Sequence, residues 1–356
     1  MDAISGIFEA LGGWFAPALR GLWAAIIAWP IRETLLIALF ALLIERVLGW
    51  PSFLQKRTGH PVQWIGGMIA RLEGRLNAQD GAPLALRAKG MGAMIFLIVF
   101  WGALAWLAAR LTEAALPRHA WLAQALLAAP WLAQCSLRQH VRAVGKALEE
   151  HPESLDPARR AVGRIVGRDP AHLDESGVVK GAIESLAENA SDGVIAPAFW
   201  LALFGLPGVV IYKVVNTADS MIGHKSERFI HFGWFAARFD DVLNWIPARL
   251  TALLFALAAA LTSPSAGARA LHAMWRDARR HVSPNAGWPE AAMAGALDVA
   301  LGGPRAYGGR VVELAWMGDG REQLTREDIH KALSLYGQML TLTLLLAGVF
   351  WLFMPD

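Results

Sequence analysis

The chain has 356 residues, of which 55% are hydrophobic and 18% charged, against roughly 45–50% and about 25% in soluble domains. A net charge of +3 excludes the strongly basic surface of a nucleic-acid binder, and a single cysteine, Cys135, excludes an internal disulfide. Sixteen tryptophans against three tyrosines point instead to a membrane protein, where Trp favours the water–lipid boundary.

No secretory leader is expected, because the start carries Asp2 and Glu9 rather than a basic stretch and a cleavage site. In chain order, the apolar runs long enough for helical spans begin with TLLIALFALLIERVLGW at 34–50, extendable backward through 21–30. The charge-free GAMIFLIVFWGALAWLAA at 92–109 follows, then AWLAQALLAAPWLAQCSL at 120–137. VIAPAFWLALFGLPGVVIYKVV at 194–215 is interrupted by Pro197, Gly205, Pro207 and Gly208. Runs at 246–262 and 339–354 complete the set. The expected fold is an all-α polytopic helical membrane protein with about five to six membrane-embedded segments. It forms one integral membrane domain over 1–356, with larger polar connecting regions at 138–193 and 263–338.

Lys and Arg number seven over 46–90, two over 110–119 and eight over 138–193. The two rich loops are therefore expected in the cytoplasm. The 263–338 region is also basic, and counting does not fix its side. Gly205-Leu206-Pro207-Gly208 divides its run into pieces of about ten residues, each reaching about 15 Å, half a bilayer. A re-entrant hairpin with a protein-buried tip is expected there.

Three polar stretches border these runs. In ESLAENASDG (184–193), Glu184 and Glu188 share one helix face, a pairing that costs a few tenths of a kcal/mol unless a cation is near. In YKVVNTADSMIGHKSERF (212–229), Lys213, Asn216, Thr217 and Ser220 form one helical stripe with Asp219 beside it. Such a stripe can hold phosphate and Mg²⁺, since Lys offsets phosphoryl oxygens and Asp and Asn supply hard oxygen ligands; a buried Lys–Asp brace is the structural alternative. In ARFDDVLNWIPARL (237–250), Asp240 pairs with Asn244, and Asp241 shares a face with Trp245 and Arg249. Adjacent carboxylates with Arg238 and Arg249 suit a metal–phosphate site, and an interfacial helix with snorkelling arginines is equally compatible. Nucleotide P-loop, G-x-S-x-G, H-E-x-x-H and paired C-x-x-C motifs are absent.

Together, ESLAENASDGVIAPAFW, the stretch from Tyr212 to Leu254, SPNAGWPEAAMAGAL and GHPVQWIGGMIARLEGRL resemble the CbiB/CobD family of cobalamin biosynthesis, in the family's order over about 34–350. An N-terminal extension of about 30 residues, and Glu45 where Asp is common, depart from the family pattern. The resemblance implies an adenosylcobinamide-phosphate synthase, a multi-pass enzyme of the cell inner membrane. It would join aminopropanol phosphate, or a related amino-alcohol phosphate, to the propionate carboxyl of adenosylcobyric acid, using ATP and Mg²⁺. Amide formation needs an activated carboxylate, an unprotonated amine in line, and cations to offset phosphate.

On that chemistry, Glu188, Asp192, Asp219 and Asp241 are the expected catalytic carboxylates, and Asp219, Asp240 and Asp241 the expected metal ligands. Lys213, Lys225, Arg228 and Arg238 would bind phosphate. Asn216, Ser220, Asn244 and Asn285 would orient substrate. Trp288, with Trp234 and Trp245, would either receive the corrin or anchor in lipid. The expected partners are the two small-molecule substrates, the lipid bilayer and other cobalamin-biosynthesis enzymes. A non-catalytic signalling or assembly protein of the same superfamily is the alternative, as is a transporter, though inverted repeats are missing.

Overall fold

A computed structural model describes residues 31–78, 81–167, 169–307 and 310–354. The N-terminal stretch, including the extension of the first run through 21–30, lies outside the described residues. The fold is all-α and polytopic. Among the described residues, four helical stretches are long and apolar enough to cross a membrane: Pro83–Ala115, Glu175–Ile222, Trp245–Thr262 and Arg326–Phe353.

Helix α1 (Ile31–Leu48) follows the first apolar run, but its 18 residues include Arg32, Glu33, Glu45 and Arg46, whereas each of the four spans has an apolar stretch of 18 residues with at most two charges. After the short α2 (Ser52–Thr58), α3 (Pro61–Leu76) starts at a capping box: the His60 ring accepts the Val62 N–H, and the Gln63 side chain accepts the His60 N–H. The 33-residue α4 (Pro83–Ala115) would extend about 50 Å, well beyond a core of about 30 Å. Its outward residues, including Phe96, Val99, Phe100 and Trp106, are exposed, as are Leu346, Val349 and Phe350 near the C-terminus. Such surface is stable against lipid and not against water.

The expected span at 120–137 is not continuous. It forms α5 (Ala120–Ala128), a 3₁₀ turn at Ala129–Trp131, and α6 (Gln134–Glu150). Pro130 lacks an N–H and its ring crowds the carbonyl four residues back, which ends the helix. Helix α6 is amphipathic, burying Leu137, Val141, Val144 and Leu148 on one face.

After the short α7 (Asp156–Val162), α8 (Glu175–Ala190) passes through a π turn, Ser191–Ile195, into α9 (Ala196–Ile222). The chain reverses inside α9 at Gly205, whose φ of 64° and ψ of −156° belong to glycine almost alone. The two arms return alongside each other: the Tyr212 hydroxyl donates to the Asp192 carbonyl at 3.1 Å, where a straight helix would hold residues twenty apart about 30 Å from each other. The expected hairpin is therefore present. At its tip the Ala202 carbonyl accepts the Thr34 hydroxyl of α1 at 2.6 Å.

Beyond it come α10 (Trp234–Leu243), α11 (Trp245–Thr262), α12 (Pro264–Asp277) and α13 (Gly287–Leu297). Two small antiparallel ladders follow, β1 (Leu301–Gly302) with β4 (Trp316–Met317) and β2 (Arg305–Tyr307) with β3 (Arg310–Val312). Helix α14 (Arg326–Phe353) closes the chain. Sequence counting left the side of the C-terminal region open; its contacts bring it to the open end of the hairpin. The Gly302 N–H donates to Glu184 Oε1 at 2.7 Å, and Asn285 donates to the Asp241 carbonyl at 2.8 Å.

Candidate functional site

The mouth of the hairpin collects most of the polar side chains. On the entering arm, Glu188 is exposed and Asp192 half-buried within the π turn, an irregularity frequent at functional sites. On the leaving arm, the Lys213 ammonium donates to Asn216 Oδ1 at 3.2 Å, with the Asp192 and Asp240 carboxylates as its charged surroundings. Asn216 passes the network on, donating to Asp240 Oδ1 at 3.3 Å. Asn244 donates to the other Asp240 oxygen at 2.9 Å and accepts the Tyr212 hydroxyl at 2.9 Å. The stripe expected on this helix therefore joins α9 to α10.

Asp219, Asp240 and Asp241 bring three carboxylates into mutual Coulombic range. Burial pushes the Asp240 carboxyl up to about 7, and the Asp219 charge adds to it. Burial also raises Asp241, against the opposing pull of Arg238 and Lys225. The Arg238 guanidinium stands 3.7 Å from Asp241, and Lys225 is exposed.

A cleft of about 740 Å³ is lined by Glu188, Asn189, Asp192, Asn216, Asp219 and Ser220, whereas Lys213, Lys225, Arg238, Asp240, Asp241 and Asn244 are not part of its lining. The same cleft is lined by His140, Arg164 and His224, which sequence reasoning passed over. A neighbouring chamber of about 350 Å³ shares Ile165–Gly167, Ser185 and Glu188 with it and adds Glu184, His281 and Glu290. Of these, Glu184 had a sequence signal in its i, i+4 relation to Glu188, and Glu290 lies within the SPNAGWPEAAMAGAL stretch. His281 stands 3.7 Å from Glu290 across the chamber.

Other expected site residues are engaged elsewhere. Arg228 grips Glu73 of α3 through two hydrogen bonds of 2.9 and 2.8 Å, which hold the Glu73 carboxyl below its ordinary value. Asn285 accepts from Arg249 at 2.7 Å, and that guanidinium lies over both Trp245 and Trp288, at 4.8 and 4.6 Å. Trp288 is buried against Trp275, whereas Trp234 and Trp245 are exposed. None of Arg228, Asn285 and Trp288 lines either chamber.

Among the described residues, no three His, Cys, Asp or Glu side chains form a ready-made metal centre. The donors at hand, Asp219, Asp240 and Asp241, are hard oxygens. Mg²⁺ takes one or two carboxylates and completes its shell with water and substrate phosphate, so this donor set fits it.

Comparison with known proteins places the sequence model of the family described as CobD/Cbib protein on residues 38–336. A relative from Rhodobacter capsulatus, named cobalamin biosynthesis protein CobD, is 48% identical over 318 residues, covering 86% of this chain and 95% of the relative. Proteins of the same name from Brucella suis biovar 1 and Rhizobium meliloti are 48% and 46% identical, covering 86% and 85% of this chain and 94% and 93% of the relatives. No solved structure matches.

Proposed function

The chain belongs to the CobD/CbiB family of cobalamin-biosynthesis proteins, and we propose that it is an ATP-dependent amide ligase. It joins aminopropanol phosphate, or a related amino-alcohol phosphate, to the propionate carboxyl of adenosylcobyric acid, giving adenosylcobinamide phosphate. It works as a multi-pass protein of the cell inner membrane. The observation that supports this most is the convergence of two separate polar stretches, 184–193 and 212–229, on one cleft of about 740 Å³ at the mouth of a membrane hairpin, with the third stretch tied to it through the Asn216–Asp240 hydrogen bond.

In this reading the chain positions and neutralises. Asp219, Asp240 and Asp241 would hold Mg²⁺, and bound Mg²⁺ with ATP would supply charge neutralisation and the free energy of amide formation. Glu188 and Asp192 line the cleft and are candidates to take the proton the amine must lose before it attacks. Lys213 and Asn216 are held by the network that fixes Asp240, so their positions are set before substrate arrives. Lys213 and Asp240 are buried beside the cleft, where their charged interactions are stronger than in water.

The test is direct. Purified protein in detergent is given adenosylcobyric acid, ATP, Mg²⁺ and aminopropanol phosphate, and product is sought by mass spectrometry. Product that requires all four components is expected. A folded, monodisperse preparation that makes none overturns the ligase reading and leaves a non-catalytic signalling or assembly role.

A further inference from the structure

The carboxylates of the large cleft all lie on one side of it. The lining contributed by 133–140 and 164–167 contains Arg164 and His140 and no carboxylate. The lining contributed by 185–193 and 216–224 carries Glu188, Asp192 and Asp219, with His224 at its edge. Both basic side chains are exposed to the cleft; the His140 ring is held by a hydrogen bond, and the backbone turn that carries Arg164 is fixed. The His140 ring donates through Nδ1 to the Ser136 carbonyl at 2.7 Å, one turn back on α6. The turn bearing Arg164 is pinned to α8 where the Ser185 hydroxyl donates to the Ile165 carbonyl at 2.7 Å. It is pinned again where Arg159 Nε donates to the Leu173 carbonyl at 2.8 Å.

We infer that Arg164 and His140 form an anion subsite at the basic end of this cleft, and that its ligand is a phosphate group, either a monoester or the terminal part of a polyphosphate. An arginine presents a planar fork that matches phosphate oxygens in pairs. An anion held there faces three carboxylates across the same cavity, so a cation between them completes the charge balance. The turn also borders the second chamber, through Ile165–Gly167. A phosphate on Arg164 therefore lies beside the wall that the two chambers share. Only the naming of the occupant rests on the ligase reading; the subsite rests on the cleft.

Calorimetry on the purified, detergent-solubilised full chain tests this without turnover. The probes are aminopropanol phosphate, unphosphorylated aminopropanol, ATP and tripolyphosphate. Arg164→Gln should weaken at least one phosphorylated probe about tenfold or more and leave the unphosphorylated amine unchanged. Arg164→Lys should recover part of the loss, and His140→Gln should weaken the same probe by a smaller factor. The probe that weakens identifies the occupant: the amine phosphate, or the nucleotide with tripolyphosphate. Binding of every phosphorylated probe within twofold of wild type in both Arg164→Gln and His140→Gln overturns the subsite. The two readings separate cleanly. Arg164-dependent phosphate binding in a protein that never makes product defeats the ligase and keeps the subsite, and product formation with an unchanged KM in Arg164→Gln does the reverse.

Discussion

The Tyr212 hydroxyl sits 3.1 Å from the backbone carbonyl of Asp192 and 2.9 Å from Asn244 Oδ1, tying both arms of the membrane hairpin to the helix pair that follows. Tyr212 is buried, and its single hydroxyl proton is shared between the two acceptors, so removing the hydroxyl leaves that shared bond unmade. Tyr212→Phe should destabilise the protein by about 1–3 kcal/mol, read as a lower melting temperature in detergent. An unchanged melting temperature would show that the hairpin is held by packing alone.

Gly205 makes the reversal. Its backbone is in a region that side chains avoid, and a Cβ would stand 3.3 Å from Thr34 Cγ2. Gly205→Ala should cost about 1–3 kcal/mol, again measured by thermal unfolding. Wild-type stability in this variant would mean the tip can adopt another turn.

The carboxylates make a kinetic prediction. Asp219→Asn and Asp241→Asn should each lower ligation by about a hundredfold or more, while membrane insertion and elution as a folded species persist. Wild-type product formation in both would remove Asp219 and Asp241 from the metal assignment.

The Glu73–Arg228 pair predicts a pH dependence. Hydrogen bonding to Arg228 holds the Glu73 carboxyl below its ordinary value of 4.5. Its contribution to stability is therefore complete above about 4.5 and is lost as pH falls through the lower folded value. Arg228 is half exposed, so water and salt screen the pair and the effect is small. Glu73→Gln should melt about 1–3 °C below wild type at neutral pH, and the gap should close in acid. A gap that stays constant from pH 7 down to about pH 3 would show that charge is not its origin.

Topology gives a fifth prediction. Glu175, Ser226 and Arg280 are exposed, on three different segments that lead to or follow the hairpin. Single cysteines at these positions, in a chain whose Cys135 is replaced, should react alike with an impermeant thiol reagent: protected in intact cells, labelled in inverted vesicles. Opposite behaviour of any pair would contradict a single-sided site.

The sequence carried the features set by neighbours in the chain. Gly205 and Pro207 mark a break wherever they occur in an apolar run, and the spacing of Lys213, Asn216 and Ser220 fixes a common face for any helix. Pro130 carried the same kind of signal, yet the run around it was read through because its composition stayed apolar on both sides. What could not be read was pairing at a distance. Arg228 looks like a phosphate binder until Glu73, 155 positions earlier, is found against it. Trp288 looks like a corrin surface until Trp275 and Arg249 cover it. His140 and Arg164 gave no signal, since a single basic residue on an amphipathic helix or in a turn is ordinary. Only the fold opens a cavity beside them.

The hydrogen bond from Thr34 to the Ala202 carbonyl bears on biogenesis. Its partners are 168 positions apart, and the chain is made from the N-terminus. Helix α1 is therefore already synthesised when the hairpin leaves the ribosome, and the Ala202 carbonyl near its tip meets a waiting donor. The order of the segments is thus part of the insertion pathway: a rearranged chain that delivers the hairpin before α1 would hold every contact described above in its final state and still have to carry an unsealed carbonyl into the bilayer on the way there.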